Sequence, residues 1–142
     1  MHDVLFTFDV NAAPEAVRQA LTTTEGIASF WTDDADVPGE PGSMLKLGFP
    51  DAPTLFDLLR AKADERMITW RTVSFPPQWV GTEVVWRISG DGDASTIAFR
   101  HGTFDDDTQA GRVAYVWGQV MVQLKRYLET KVAAPVLWAD EG

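Results

Sequence analysis

Residues 109–131 hold no proline, and their large apolar side chains return at Val113, Trp117, Val120, Met121, Leu124, Tyr127 and Leu128. That spacing traces one face of a helix with 3.6 residues per turn. Polar Gln119, Gln123, Lys125, Arg126 and Glu129 fall mostly elsewhere. A helix of about 20 residues is roughly 30 Å long, so any fold built on it must supply apolar surface across a whole small domain. Asp105, Asp106 and Asp107 stand before this stretch, and Lys125, Arg126 and Lys131 stand near its end. Both signs complement a helix dipole.

The rest of the chain offers that surface as strands. Val4, Phe6, Phe8 and Val10 alternate with Asp3, Leu5, Thr7 and Asp9, the period of a strand buried on one side. Pro14 and Glu15 suit the start of a short helix reaching Leu21. Thr24 is expected to cap a second short helix over residues 25–31, with Ile27, Phe30 and Trp31 as its apolar residues. Residues 32–42 read as a loop. Strands are expected at 43–49, 54–63, 66–75, 82–89 and 95–104, with turns at 50–53, 64–65 and 90–93 and a loop at 76–81 carrying Trp79. Alternation puts Ile68, Trp70 and Thr72 on one face, Val84, Trp86 and Ile88 on one face, and Ile97, Phe99 and His101 on one face. Successive strands with short turns imply an antiparallel sheet. The expected fold is α+β: a curved antiparallel sheet of six to seven strands wrapped around the long C-terminal helix, with two short helices after the first strand. Residues 1–132 form one domain in this reading, and 133–142 form a tail.

Composition narrows the function. The net charge is −9, and the 12 Lys and Arg residues are dispersed. That argues against nucleic-acid binding, which needs a basic patch, and against anionic membrane surfaces. The 142 residues include no cysteine, so thiolate chemistry and zinc–thiolate sites are excluded. No apolar run is long enough to insert in a membrane, and the N-terminus lacks the pattern of a secretory signal. A cytoplasmic location is expected, with no metal and no cofactor. The acidic run 33–36 does not carry the spacing of a calcium loop, and the run 105–107 is better explained as the start of the long helix.

Several segments carry a resemblance. Residues 6–10 followed by Ala13-Pro14-Glu15-Ala16-Val17, Thr24-Glu25-Gly26-Ile27 leading to Phe30-Trp31, Pro41-Gly42-Ser43, Arg66-Met67-Ile68-Thr69-Trp70, His101-Gly102-Thr103-Phe104 and Trp117-Gly118 in the final helix occur in this order. Their order resembles the helix-grip fold of the SRPBCC superfamily, which includes START and Bet v 1-like domains. More narrowly it is similar to the bacterial branch named after the activator of the heat-shock protein 90 ATPase. Ser43 replaces the second Gly of that branch's Pro-Gly-Gly turn, and Gly102 is shifted by one from its usual place after the His. The resemblance implies an apolar cavity between sheet and long helix, used by relatives for lipids and other hydrophobic ligands.

The residues themselves offer matching candidates. Phe30, Trp31, Phe49, Trp70, Trp79, Trp86, Phe99 and Trp117 are rigid, flat surfaces of the kind that line apolar ligand sites, or else ordinary core. Val120, Met121 and Leu124 extend this wall along the helix, with Trp117 and Met121 facing its centre. Trp31 and Trp79 are expected at the entrance, with Trp79 as a lid or partner contact. His101 should point inward, either as a polar anchor or acid–base group for a ligand or as a core histidine satisfied by protein partners. Arg60 or Arg71 could grip a ligand carboxylate at the mouth, or simply face solvent.

The leading expectation is a binding protein for a hydrophobic small molecule or lipid-like ligand. The alternatives are an enzyme using His101 in the same cavity and a co-chaperone-like interaction module. A homodimer and a chaperone are the protein partners left open.

Overall fold

The computed structural model describes residues 2–32, 34–37, 44–49, 52–63, 66–73 and 79–133; of residues 34, 48, 49 and 52–63 the backbone course alone enters the description. The strands are β1 (His2–Val10), β2 (Asp34–Asp36), β3 (Met44–Phe49), β4 (Ala52–Ala63), β5 (Met67–Thr72), β6 (Glu83–Asp91) and β7 (Ala94–Phe104). Helices α1 (Pro14–Thr22) and α2 (Thr24–Phe30) follow β1, and α3 (Asp107–Thr130) follows β7. The seven strands form one sheet in the order β1-β7-β6-β5-β4-β3-β2, with each neighbouring pair antiparallel. The sheet is the curved antiparallel one expected, with α3 packed on its inner face.

Alternation decides what lies inside. Ile68, Trp70 and Thr72 of β5, Val84, Trp86 and Ile88 of β6, and Ile97, Phe99 and His101 of β7 are buried. Helix α3 meets them with Val113, Trp117, Val120, Met121, Leu124 and Leu128, the face its periodicity predicts, while Tyr127 is partly buried against the same core. The β6–β7 hairpin turns at residues 90–93 as expected, Asp91 pairing with Ala94 and Gly92 taking φ 61, a backbone conformation that costs glycine little.

Four local expectations are corrected. The stretch 32–42 is not all loop: β2 pairs with β3, Ala35 opposite Leu47. A three-residue strand of Asp and Ala has no periodic signal and exists because β3 offers it an edge. Strand β4 begins at Ala52, inside the stretch 50–53 expected as a turn. The cap of α2 is Thr23, whose Oγ1 accepts from the Gly26 amide at 3.0 Å, not Thr24. The Thr24 hydroxyl instead accepts from the Val37 amide at 2.9 Å and ties the segment leaving β2 to α2. Helix α3 begins two residues before Gln109, because Asp106 accepts from the Gln109 amide at 2.7 Å as its N-cap; it ends with Lys131 at φ 63. The expected turns at 41–43 and 64–65, most of the loop before Trp79 and the tail from 134 lie outside the described residues.

Gly26 is where α1 and α2 nearly touch. A Cβ there would collide with the Ala20 backbone, so no other residue fits without moving a helix. That approach delivers Phe30 and Trp31 into the core.

Candidate functional site

His101 is carried inward by the alternation of β7 and is fully buried. Its Nδ1 accepts from the Trp117 Nε1–H of α3 at 3.0 Å. Its Nε2 lies 2.9 Å from Thr82 Oγ1. The Thr82 hydroxyl donates to the Trp79 carbonyl at 2.5 Å, so its oxygen is left to accept from His101 Nε2–H. This fixes the neutral tautomer with hydrogen on Nε2. Burial, with a smaller push from the Arg100 guanidinium, lowers the His101 pKa to about 3. The ring is therefore neutral at neutral pH, with its one donor and one acceptor both in use. Thr82 stands two residues before Val84 and so shares its inward face. The Thr82 amide also donates to the Trp79 carbonyl at 2.8 Å, which fastens Trp79 to the start of β6.

Around this group lies a continuous set of rings. Trp79 meets the His101 ring edge-on with centroids 4.6 Å apart, and Phe104 lies 4.9 Å from it. Trp117 touches Trp31 at 4.8 Å and Phe99 at 4.7 Å. Trp31 stacks on Trp70 at 6.4 Å, Trp70 meets Trp86 at 5.6 Å, and Trp86 meets Phe99 at 4.7 Å. The expected wall residues are thus brought together, and in this conformation they fill the space between sheet and helix against one another. Phe30, Val120 and Leu124 are buried in the same core. The side chain of Phe49 lies outside the described residues.

The polar atoms of this core fall into two sets. The first, His101, Thr82 and the Trp117 indole, is fully paired. The second is not: Trp70 Nε1, Trp86 Nε1 and Thr72 Oγ1 are buried with no hydrogen-bond partner among the described residues. A buried donor without a partner costs about 1–3 kcal/mol, and such groups in a folded protein call for an explanation. Nothing in the sequence pairs these atoms or leaves them unpaired; parity alone placed Trp70, Thr72 and Trp86 inward.

Two expected roles change, and one open alternative is decided. Trp31 is fully buried and does not stand at an entrance, because the short α2 tucks it between Trp70 and Trp117. Met121 lines a small groove of about 260 Å³ between β1 and α3, with Phe6, Phe8, Gly118 and Val122, and not the centre of the core, because α3 turns it towards the edge strand. Arg71 faces outward on β5 and pairs with Glu83 at 3.1 Å; the Arg60 side chain lies outside the described residues. Trp79 lies beside a surface cleft. It lines this cleft of about 650 Å³ together with Asp105, Asp106, Gln109, Arg112 and Val113, and its ring also meets those of His101 and Trp117.

A seven-stranded antiparallel sheet on one long C-terminal helix, with two short helices after the first strand, is the helix-grip fold of the SRPBCC superfamily. Solved structures agree. Aha1 from Colwellia psychrerythraea, solved in solution as a dimer, is 25% identical and superposes with a TM-score of 0.81 over 92% of this chain and 98% of that one. CalU16 from Micromonospora echinospora shares the fold at 17% identity, with a TM-score of 0.75 over 95% of this chain and 70% of its own. DynU16, a protein of the dynemicin biosynthetic locus, does so at 20% identity and a TM-score of 0.77, over 92% of this chain and 48% of its own. No family model matches the sequence, and no curated protein matches it significantly. The chain resembles the branch of the activator of the heat-shock protein 90 ATPase. No helix among the described residues is long and apolar enough to cross a membrane.

Proposed function

We propose that the protein binds a hydrophobic small molecule among the indoles between the sheet and α3, and that this molecule carries hydrogen-bond acceptor oxygens. One observation carries the reading: Trp70 Nε1, Trp86 Nε1 and Thr72 Oγ1 are buried donors with no partner among the described residues. A ligand with carbonyl, ether or carboxylate oxygens would pair them and remove their desolvation cost, while its apolar body would replace ring–ring contacts with ring–ligand contacts. Entry lies beside Trp79, which separates the surface cleft from His101 and Trp117. His101 acts in this reading as a brace that holds Trp117 and Thr82. Acid–base work at His101 would first have to break one of its two hydrogen bonds, so binding is favoured over catalysis. DynU16, a protein of a biosynthetic locus, shares the fold and supports a small-molecule context. The dimeric state of the Colwellia protein supports self-association of this chain.

The test is native mass spectrometry of the purified protein, followed by solvent extraction. The expected result is a bound apolar species with acceptor oxygens, displaced by 1-anilinonaphthalene-8-sulfonate. A ligand-free mass together with no saturable binding of that probe overturns the reading.

A further inference from the structure

The inner face of α3 is spent on the core, yet its outer face carries a second pattern. Asp107, Gly111, Tyr115, Gly118, Val122 and Arg126 follow one another at steps of four, four, three, four and four, which keeps them in one stripe along the helix. Tyr115 is 75% exposed and Val122 57%. A Cβ at Gly111 or Gly118 would meet nothing within 4 Å. Nothing in the described structure therefore requires glycine there, although each glycine costs a helix about 1 kcal/mol relative to alanine.

The steps read the same in both directions. We propose that this face is the interface of a two-fold homodimer in which two α3 helices pack antiparallel; it rests on the self-association proposed above. A two-fold axis beside the midpoint between Tyr115 and Gly118 sets Tyr115 over the partner's Gly118, Val122 over the partner's Gly111, and Asp107 against the partner's Arg126. Each large residue then meets a small one and each charge meets its opposite, twice over, as an isologous contact requires. A parallel pairing would instead oppose Tyr115 to itself and Asp107 to itself. The glycines permit the close interaxial approach, about 8 Å, of tightly packed helices. The small groove lined by Phe6, Phe8, Met121, Val122 and Gly118 opens at the place where the partner's Tyr115 lands and offers that ring an apolar seat.

Sedimentation velocity from roughly 1 to 100 µM, a range that brackets a micromolar dissociation constant, tests this. The expected result is a dimer that Gly118→Leu weakens about tenfold or more, with its thermal midpoint unchanged or raised because leucine favours helix. Asp107→Arg and Arg126→Asp should each weaken the dimer roughly threefold, since exposed pairs are individually weak. Because Asp107 also lies 2.8 Å from His2 Nδ1, the deciding variant is the double reversal, which should recover the wild-type constant. A monomer across the whole range overturns self-association. A dimer indifferent to Gly118→Leu and to the charge reversals leaves self-association standing and overturns this surface.

Discussion

Two sets of buried polar groups share the inner surface of the sheet. The set on β7, α3 and the start of β6 is closed: Trp117 donates to His101, His101 donates to Thr82, and Thr82 donates to the Trp79 carbonyl. The set on β5 and β6 is open: the indoles of Trp70 and Trp86 and the Thr72 hydroxyl have no partner among the described residues. Burial and aromatic packing are the same for both, so neither explains the difference. A closed network rigidifies a core, whereas unpaired donors weaken it unless something else pairs them. The contrast separates a structural histidine from the atoms that a ligand would address.

The largest effect should come from acid. His101 is held neutral with its pKa lowered to about 3, chiefly by burial, while the unfolded chain takes up its proton near the usual value of about 6.5. Between these values the unfolded state binds more protons, so the stability contributed by neutral His101 is complete above about pH 6.5 and is lost as pH falls, by up to about 1.4 kcal/mol per pH unit. Urea unfolding at several pH values should show this slope in the native protein and its absence in His101→Gln. The Asp3 carboxyl, held low by the Thr103 hydroxyl and Arg100, adds acid sensitivity of the same sign below its usual range and is common to both proteins.

A matched pair of substitutions sharpens the comparison. Trp117→Phe and Trp70→Phe remove the same atoms from equally buried sites. The first also orphans His101 Nδ1, and the second orphans nothing. Trp117→Phe should therefore be the more destabilising by about 1–3 kcal/mol, read from denaturant midpoints. Equal losses would mean that the closed network adds nothing. In binding the order should invert: Trp70→Phe and Trp86→Phe should each weaken the bound probe by roughly fivefold, the worth of one hydrogen bond. Trp79→Ala has the smallest equilibrium effect. It should speed probe association in stopped-flow fluorescence while changing affinity by about twofold or less, since it alters access more than contact.

Periodicity made much of this visible beforehand. Period two placed Trp70, Trp86, Phe99 and His101 on the inner face, and period 3.6 placed Trp117, Val120 and Leu124 opposite them, because burial on one side imposes those spacings. The same parity puts Thr82 beside Val84, so the residue that completes the histidine network was within reach. Which donors find partners was not, since pairing depends on distances between strands and helix that no local pattern encodes. Strand β2 escaped for a related reason: its partner, β3, creates it, and its own residues carry no strand signal. Trp31 is deeper than expected because α1 and α2 pack tightly at Gly26, a close approach that their sequences do not show. Met121 belongs to the apolar face of α3, but which part of the sheet lies across from it is set by β1.

The indole resonances of the ¹H–¹⁵N spectrum test the central claim most directly. On saturation with the co-purified ligand, or with 1-anilinonaphthalene-8-sulfonate, the Nε1–H signals of Trp70 and Trp86 should move downfield as they gain acceptors. The Trp117 signal, already bonded to His101, should stay in place. A bound state in which Trp117 moves while Trp70 and Trp86 do not would contradict the account.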